Sequence, residues 1–155
     1  MGLIECTSGA SLWRGYDYYK EKKVKNLQKI SDTQYTADVA GTTSKPYKVL
    51  IDLAHPRTSK CNCPHADGKR IVCKHMMAVY FTAFPKEAQR IYDEAIAYQE
   101  EEEKREEELT DRVCQYVWQM KKSEAQQALL ELLFDGPEWQ LDRFIRAHNL
   151  EDDYY

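Results

Sequence analysis

The stretch Cys61-Asn62-Cys63-Pro64-His65-Ala66-Asp67-Gly68-Lys69-Arg70-Ile71-Val72-Cys73-Lys74-His75 decides the fold of this 155-residue chain. It reads as Cys-x-Cys, nine intervening residues, then Cys-x-His. Three thiolates and one imidazole make a complete tetrahedral donor set for zinc, which takes soft sulfur and borderline nitrogen. The five cysteines, at 6, 61, 63, 73 and 114, are an odd number, and three of them fall within thirteen residues. That distribution favours a metal over disulfides. The first ligand pair is expected at the end of a strand region and a turn set by Pro64, the second at the entry to a helix. One ion would then staple a sheet to a helix and contribute folding free energy directly.

Working upstream, Tyr47, Val49, Ile51 and Leu53 alternate with Lys48, Leu50, Asp52 and Ala54, the strongest strand signal in the chain. Before the loop Gly41-Thr42-Thr43-Ser44, the segments around Val24, Leu27 and Ile30 and around Tyr35, Ala37 and Val39 read as two shorter strands. Ser31-Asp32-Thr33 forms the turn between them. A three-stranded antiparallel meander results. Ahead of it, Leu12, Tyr16 and Tyr19 repeat at helical spacing, so residues 9–22 are expected as a helix capped by Ser8 or Ser11.

Downstream, residues 75–84 read as a short helix stopped by Pro85, which also suits the first turn of the next helix. Ala88, Ile91, Tyr92, Ala95 and Tyr98 mark an apolar face that leads into residues 100–108, seven acids and two bases. That run is expected as a solvated helical connector or a linker. Beyond it, Val113, Val117 and Met120 indicate one helix. Ser123 with Gln126 forms a capping box for a second, and Gly136-Pro137 opens a third. The fold class expected is α+β: a zinc-stapled module over residues 1–85, an acidic connecting helix over 86–108 and an all-α region over 109–155.

Apolar residues make up 43% of the chain, enough for a core. The longest nearly apolar stretch, residues 76–84, is far short of the roughly 18 residues of a membrane span. Residues 1–6 lack the basic-then-apolar pattern of an export signal, so the expected location is cytoplasmic, with nucleoid-associated or nuclear placement also compatible. The formal net charge of −4 is unevenly divided. Residues 1–85 hold 13 Lys/Arg against 7 Asp/Glu, and residues 86–155 hold 9 against 19. A basic half and an acidic half imply different partners, or an acidic part that shields a basic one.

The Cys-x-Cys spacing is tighter than in common zinc fingers, and it resembles the SWIM-type zinc finger, whose signature is Cys-x-Cys, a variable gap, then Cys-x-His. The flanks are similar too: Pro64 after the first pair, Gly68 in the gap, and Met76 and Ala78 after Cys73-Lys74-His75. Upstream, Arg14-Gly15-Tyr16-Asp17-Tyr18-Tyr19 is similar to the aromatic helix that often precedes this metal site. The glycine common soon after the tyrosine pair is replaced by Lys22 and Lys23. The resemblance covers roughly residues 10–84 and implies one structural Zn2+ held by Cys61, Cys63, Cys73 and His75. His65 is a fifth candidate, but four ligands already fill a structural site, and family members often carry an aromatic residue there, so it is expected beside the site.

The resemblance implies an interaction module, since SWIM domains occur in Swi/Snf-type ATPases, Mutator-type transposases and other DNA-associated proteins and bind DNA or proteins. No enzymatic activity is expected: four protein ligands leave no position for water, and neither a His-x-Glu deaminase motif nor a phosphate-cradling glycine loop is present. Two readings remain. In the first, Lys22, Lys23, Lys60, Lys69, Arg70 and Lys74 contact nucleic acid, DNA foremost, with Trp13, Tyr16, Tyr18 or Tyr19 available for base stacking. In the second, the acidic helical half, with Val117, Trp118, Leu132, Leu133, Trp139 and Phe144, serves as a protein–protein adaptor for a DNA-associated ATPase or transposase. No membrane and no small-molecule substrate are implied.

Overall fold

The computed structural model describes residues 2–150, and its chain divides into a first unit up to Ala97 and a second from Tyr98. Residues 151–155, the end of the all-α region expected over 109–155, lie outside the described residues.

The first unit opens with α1 (Gly9–Lys20), where the Ser8 hydroxyl accepts a hydrogen bond from the Ser11 amide and caps the helix. The helix ends two residues earlier than its periodicity predicts. Lys22 adopts a left-handed backbone (φ 54°), and the Lys22 and Lys23 amides donate to the carbonyls of Tyr19 and Tyr18. Lys22 therefore carries out the turn that a glycine would make more cheaply.

Three strands follow, β1 (Val24–Lys29), β2 (Gln34–Val39) and β3 (Tyr47–Asp52), paired antiparallel in chain order. Tyr47, Val49 and Ile51 are buried while Lys48 is exposed, as the alternation requires. Asp52 breaks the pattern by being buried, and it is satisfied there. Its carboxylate accepts from the Gln34 side-chain amide and from the Ala54 and His55 backbone amides. This organises the turn into a short 3-10 helix (Pro56–Thr58), after which the chain adds β4 (Lys60–Cys61) beside β3. The sheet is thus four-stranded, not three-stranded. A two-residue strand shows no alternation along the sequence and is decided only by its partner, with Val49 opposite Cys61 and Leu50 opposite Lys60.

Helix α2 (Lys74–Ala83) covers the sheet, and His75 to Val79 and Phe81 are all buried. Helix α1 packs directly on α2 because Gly15 lacks a side chain: a Cβ there would lie 2.4 Å from the Met77 Cβ and 2.9 Å from the Lys74 carbonyl oxygen. The core also holds Tyr16, whose ring meets Phe81 edge-on at 5.8 Å and stacks on Tyr92 at 5.2 Å. Pro85 begins α3 (Pro85–Gln119), with Ala88 buried in the first unit.

The second unit contains the rest of α3, then α4 (Lys122–Phe134) and α5 (Glu138–Ala147), the last two packed on each other. The acidic run is helical and carries its own ion pairs, Arg105 with Glu101 and Glu102 among them. Val113 and Val117 continue this same helix instead of starting a separate one. The capping box sits two residues earlier than Ser123-Gln126: the Glu124 carboxylate accepts from the Lys121 amide at 2.9 Å, and Ser123 lies inside α4. Among the described residues no helix is long and apolar enough to cross a membrane.

Candidate metal centre and the adjoining basic groove

Four side chains from three local structures converge in the first unit. Cys61 comes from β4. Cys63 stands at the head of a turn closed by the Ala66 and Asp67 amides on its carbonyl. Cys73 caps α2 with an extended backbone, and His75 is the second residue of that helix. One ligand atom from each lies within 4.8 Å of all the others, and all four residues are buried. The His75 Nδ1 is 3.7 Å from the Cys61 sulfur and 4.0 Å from the Cys73 sulfur. A tetrahedron with Zn–S of about 2.3 Å and Zn–N of about 2.05 Å requires nitrogen–sulfur separations of about 3.6 Å, close to both values. The donor chemistry, the spacing and the burial therefore fit a zinc ion.

The electrostatics fit as well. The hydrogen bond from Cys61, with a second contribution from His75, pulls the Cys73 thiol down to about 4 despite its burial. The hydrogen bond to Cys73 and desolvation push the Cys61 thiol up in turn. Zinc would be held by the cysteines as thiolates, so the protons they carry would have to leave, which couples metal binding to pH. On its other side the His75 ring is held by aromatic packing, with Tyr47 tilted at 4.5 Å and Tyr18 edge-on at 5.4 Å. Its Nε2 is buried without a hydrogen-bond partner. The usual carboxylate or carbonyl behind a ligating histidine is replaced here by two rings. A bound zinc would supply a cross-link between β4 and α2.

The family model of the SWIM zinc finger matches residues 47–84, from the first residue of β3 to Phe84, the C-cap of α2. This segment is similar to the SWIM zinc finger, and the four-residue cluster it carries is compatible with a zinc site. No curated protein and no solved structure matches the chain. Helix α1, part of the resemblance read from the sequence, lies outside the matched residues, yet it supports the matched segment through Gly15 against α2 and Tyr18 against His75.

The remaining candidates sort by position. His65 is exposed and lies outside the four-residue cluster, as do the half-buried Cys6 and the exposed Cys114. Of the six basic residues singled out in the sequence, Lys60, Lys69 and Arg70 line one groove of about 930 Å³ beside the candidate metal ligands. Its floor is the outer face of the sheet, where Thr36, Leu50 and Lys60 stand opposite one another on β2, β3 and β4. Lys48 and Arg57 join the same groove and were not among the sequence candidates. The outward position of Lys48 on β3 was a usable signal. Arg57 had none, because only the fold of the 3-10 helix brings it to the sheet.

Lys23 and Lys74 lie elsewhere, over the Tyr18 ring at 4.2 and 4.5 Å. They hold it against the His75 ring by cation–π attraction. Lys22 lines no part of the groove. The aromatic residues expected for base stacking are largely committed to packing: Tyr16 is core, Tyr19 packs on Tyr16 and Phe81, and Tyr18 sits beneath the two lysines. Trp13 alone of the four is exposed, and it meets Tyr16 edge-on.

Proposed function

We propose that this chain is a non-enzymatic interaction module, stabilised by one structural Zn2+ on Cys61, Cys63, Cys73 and His75, that contacts nucleic acid, DNA foremost, through its basic N-terminal half. The observation that carries the reading is the groove beside the candidate metal ligands. Arg57, Lys60, Lys69 and Arg70 line it, and none of them makes a side-chain ion pair or hydrogen bond among the described residues. Lys48 is paired with Asp38 at 2.6 Å, and Asp67 is the single acid in the lining. Unpaired cations gathered in one recess are what a polyanion requires. Four protein donors close the zinc shell and leave no coordination position for substrate, which supports a binding role over a catalytic one. A reducing compartment such as the cytoplasm suits zinc-ligating thiolates.

A second reading, a protein–protein adaptor for a DNA-associated ATPase or transposase, draws on the second unit. Trp118 is 88% exposed and Phe134 69%, while Leu133 is the one large apolar residue buried among the described residues there. Fluorescence anisotropy of the zinc-loaded full chain with labelled oligonucleotides separates the readings. The nucleic-acid reading requires binding that weakens steeply with salt and is lost when Lys60, Lys69 and Arg70 are changed to glutamine. No binding at low salt overturns it and leaves the adaptor reading.

A further inference from the structure

The groove also specifies what kind of nucleic-acid feature it can hold. We propose that it receives the phosphate ridge of a DNA duplex and reads no bases, so that binding is indifferent to sequence and stronger for duplex than for single strands. This rests on the nucleic-acid reading above.

Three observations carry it. The lining contains no aromatic ring, and the rings of the module lie on α1, in the core or around His75. Single-strand binders draw about 1–3 kcal/mol per base from stacking on aromatic side chains, and the groove offers none of this.

The neutral side chains that could read base edges are largely engaged. The Thr36 hydroxyl donates to the Val49 carbonyl, the Thr58 hydroxyl donates to the His55 carbonyl, and the Ser59 hydroxyl accepts from the Asp52 amide. The Asn62 carbonyl oxygen accepts from the Lys48 amide, which takes up the acceptor half of the amide pair that would recognise adenine. What remains is the Asn62 side-chain NH2, the Asp67 carboxylate and the four unpaired cations, and it is the shape of the groove that keeps these cations on phosphate and away from guanine edges.

The shape points the same way. Base reading requires an element that protrudes into a duplex groove, such as a helix or a two-stranded ribbon. Here the cations stand in a recess, with the sheet as its floor and Arg57 and Lys60 lining it together with Lys69 and Arg70 of the loop that carries Gly68 (φ 70°). A recess accepts a ridge, and on a duplex the ridge is the sugar–phosphate backbone. Duplex DNA presents one negative charge per about 1.7 Å of its axis, counting both strands, and so engages a fixed set of cations better than a single strand does.

The test is anisotropy of the zinc-loaded full chain against three 20-base-pair duplexes of unrelated sequence and against single-stranded dT and dA of equal length. The expected result is affinities within about twofold across the duplexes and at least about threefold weaker for both single strands. With four phosphate contacts, a rise from about 50 to about 200 mM salt should weaken duplex binding about a hundredfold. Lys69→Gln and Arg70→Gln should each lower the logarithmic salt slope by about 0.9, equally on every duplex. Trp13→Ala, outside the groove, should leave all affinities unchanged. A duplex preferred tenfold over the others, or single strands that bind as tightly as duplexes, overturns the inference and leaves the nucleic-acid reading standing. Failure to bind any oligonucleotide at low salt overturns the reading itself.

Discussion

Gly15→Ala separates helix propensity from packing, because the two predict opposite signs. Position 15 is in the middle of α1, where exchanging glycine for alanine stabilises a helix by about 1 kcal/mol. In this protein the new methyl carbon would lie 2.4 Å from the Met77 Cβ and 2.9 Å from the Lys74 carbonyl oxygen. The second neighbour is backbone and the first is fixed to it, so neither can swing away. The helices must separate by roughly 1 Å at their crossing to restore ordinary contact distances. Overpacking of this kind costs about 1–3 kcal/mol, and here it acts on the helix that carries His75. The net expectation is a loss of about 1–2 kcal/mol after the propensity gain. Gly9→Ala is the control, at a position with nothing within 4 Å, and it should be neutral or stabilising.

The assay is urea denaturation of the zinc-loaded protein followed by metal release to a chromogenic chelator, which reports on the first unit alone. With a slope of about 2 kcal/mol per molar, Gly15→Ala should lower the midpoint by about 0.5–1 M. A midpoint equal to or above that of the unaltered protein would refute the close α1–α2 approach as the reason for glycine at this position.

Three further outcomes are expected. Cobalt(II) added to metal-free protein should give the intense visible spectrum of a tetrahedral sulfur-rich site, and Cys73→Ser should abolish it and unfold the first unit, read by amide exchange. Lys22→Gly, which removes a side chain from a left-handed position, should raise stability by about 1 kcal/mol in the same urea assay. Asp52 should make stability fall in acid. The Gln34 hydrogen bond, then those from the His55 and Ala54 amides, hold its carboxyl below the ordinary range, so its contribution is complete above about pH 4 and is lost as pH falls through the lowered value. Asp52→Asn should therefore be destabilised at neutral pH, and its deficit should shrink in acid, measured by thermal unfolding across pH. A deficit that does not vary with pH would count against that role.

Much of the fold was legible because the signals are local. Residues 47–52 alternate, Ser8 caps, Pro85 cannot continue α2, and the Cys-x-Cys and Cys-x-His pairs name their own chemistry. Where the reading and the structure part, the deciding term lies between segments. Strand β4 exists because β3 offers it an unpaired edge. Helix α3 runs unbroken to Gln119 because (i, i+4) and (i, i+3) ion pairs such as those of Arg105 support the charged run, so a patch without apolar residues need not interrupt a helix. The first unit's tyrosines read equally well as stacking platforms or as core, and only packing against Phe81, Tyr92 and His75 distinguishes the two.

The sequence by itself determined the candidate metal-ligand cluster, the α+β class and the separation of basic from acidic character, since each is a property of residue type and short spacing. Tertiary structure alone decided which cations act together. Lys48, Arg57, Lys60, Lys69 and Arg70 share a groove while Lys23 and Lys74 clamp Tyr18. Charges cooperate according to their distance in space, and two turns and a two-residue strand set that distance here.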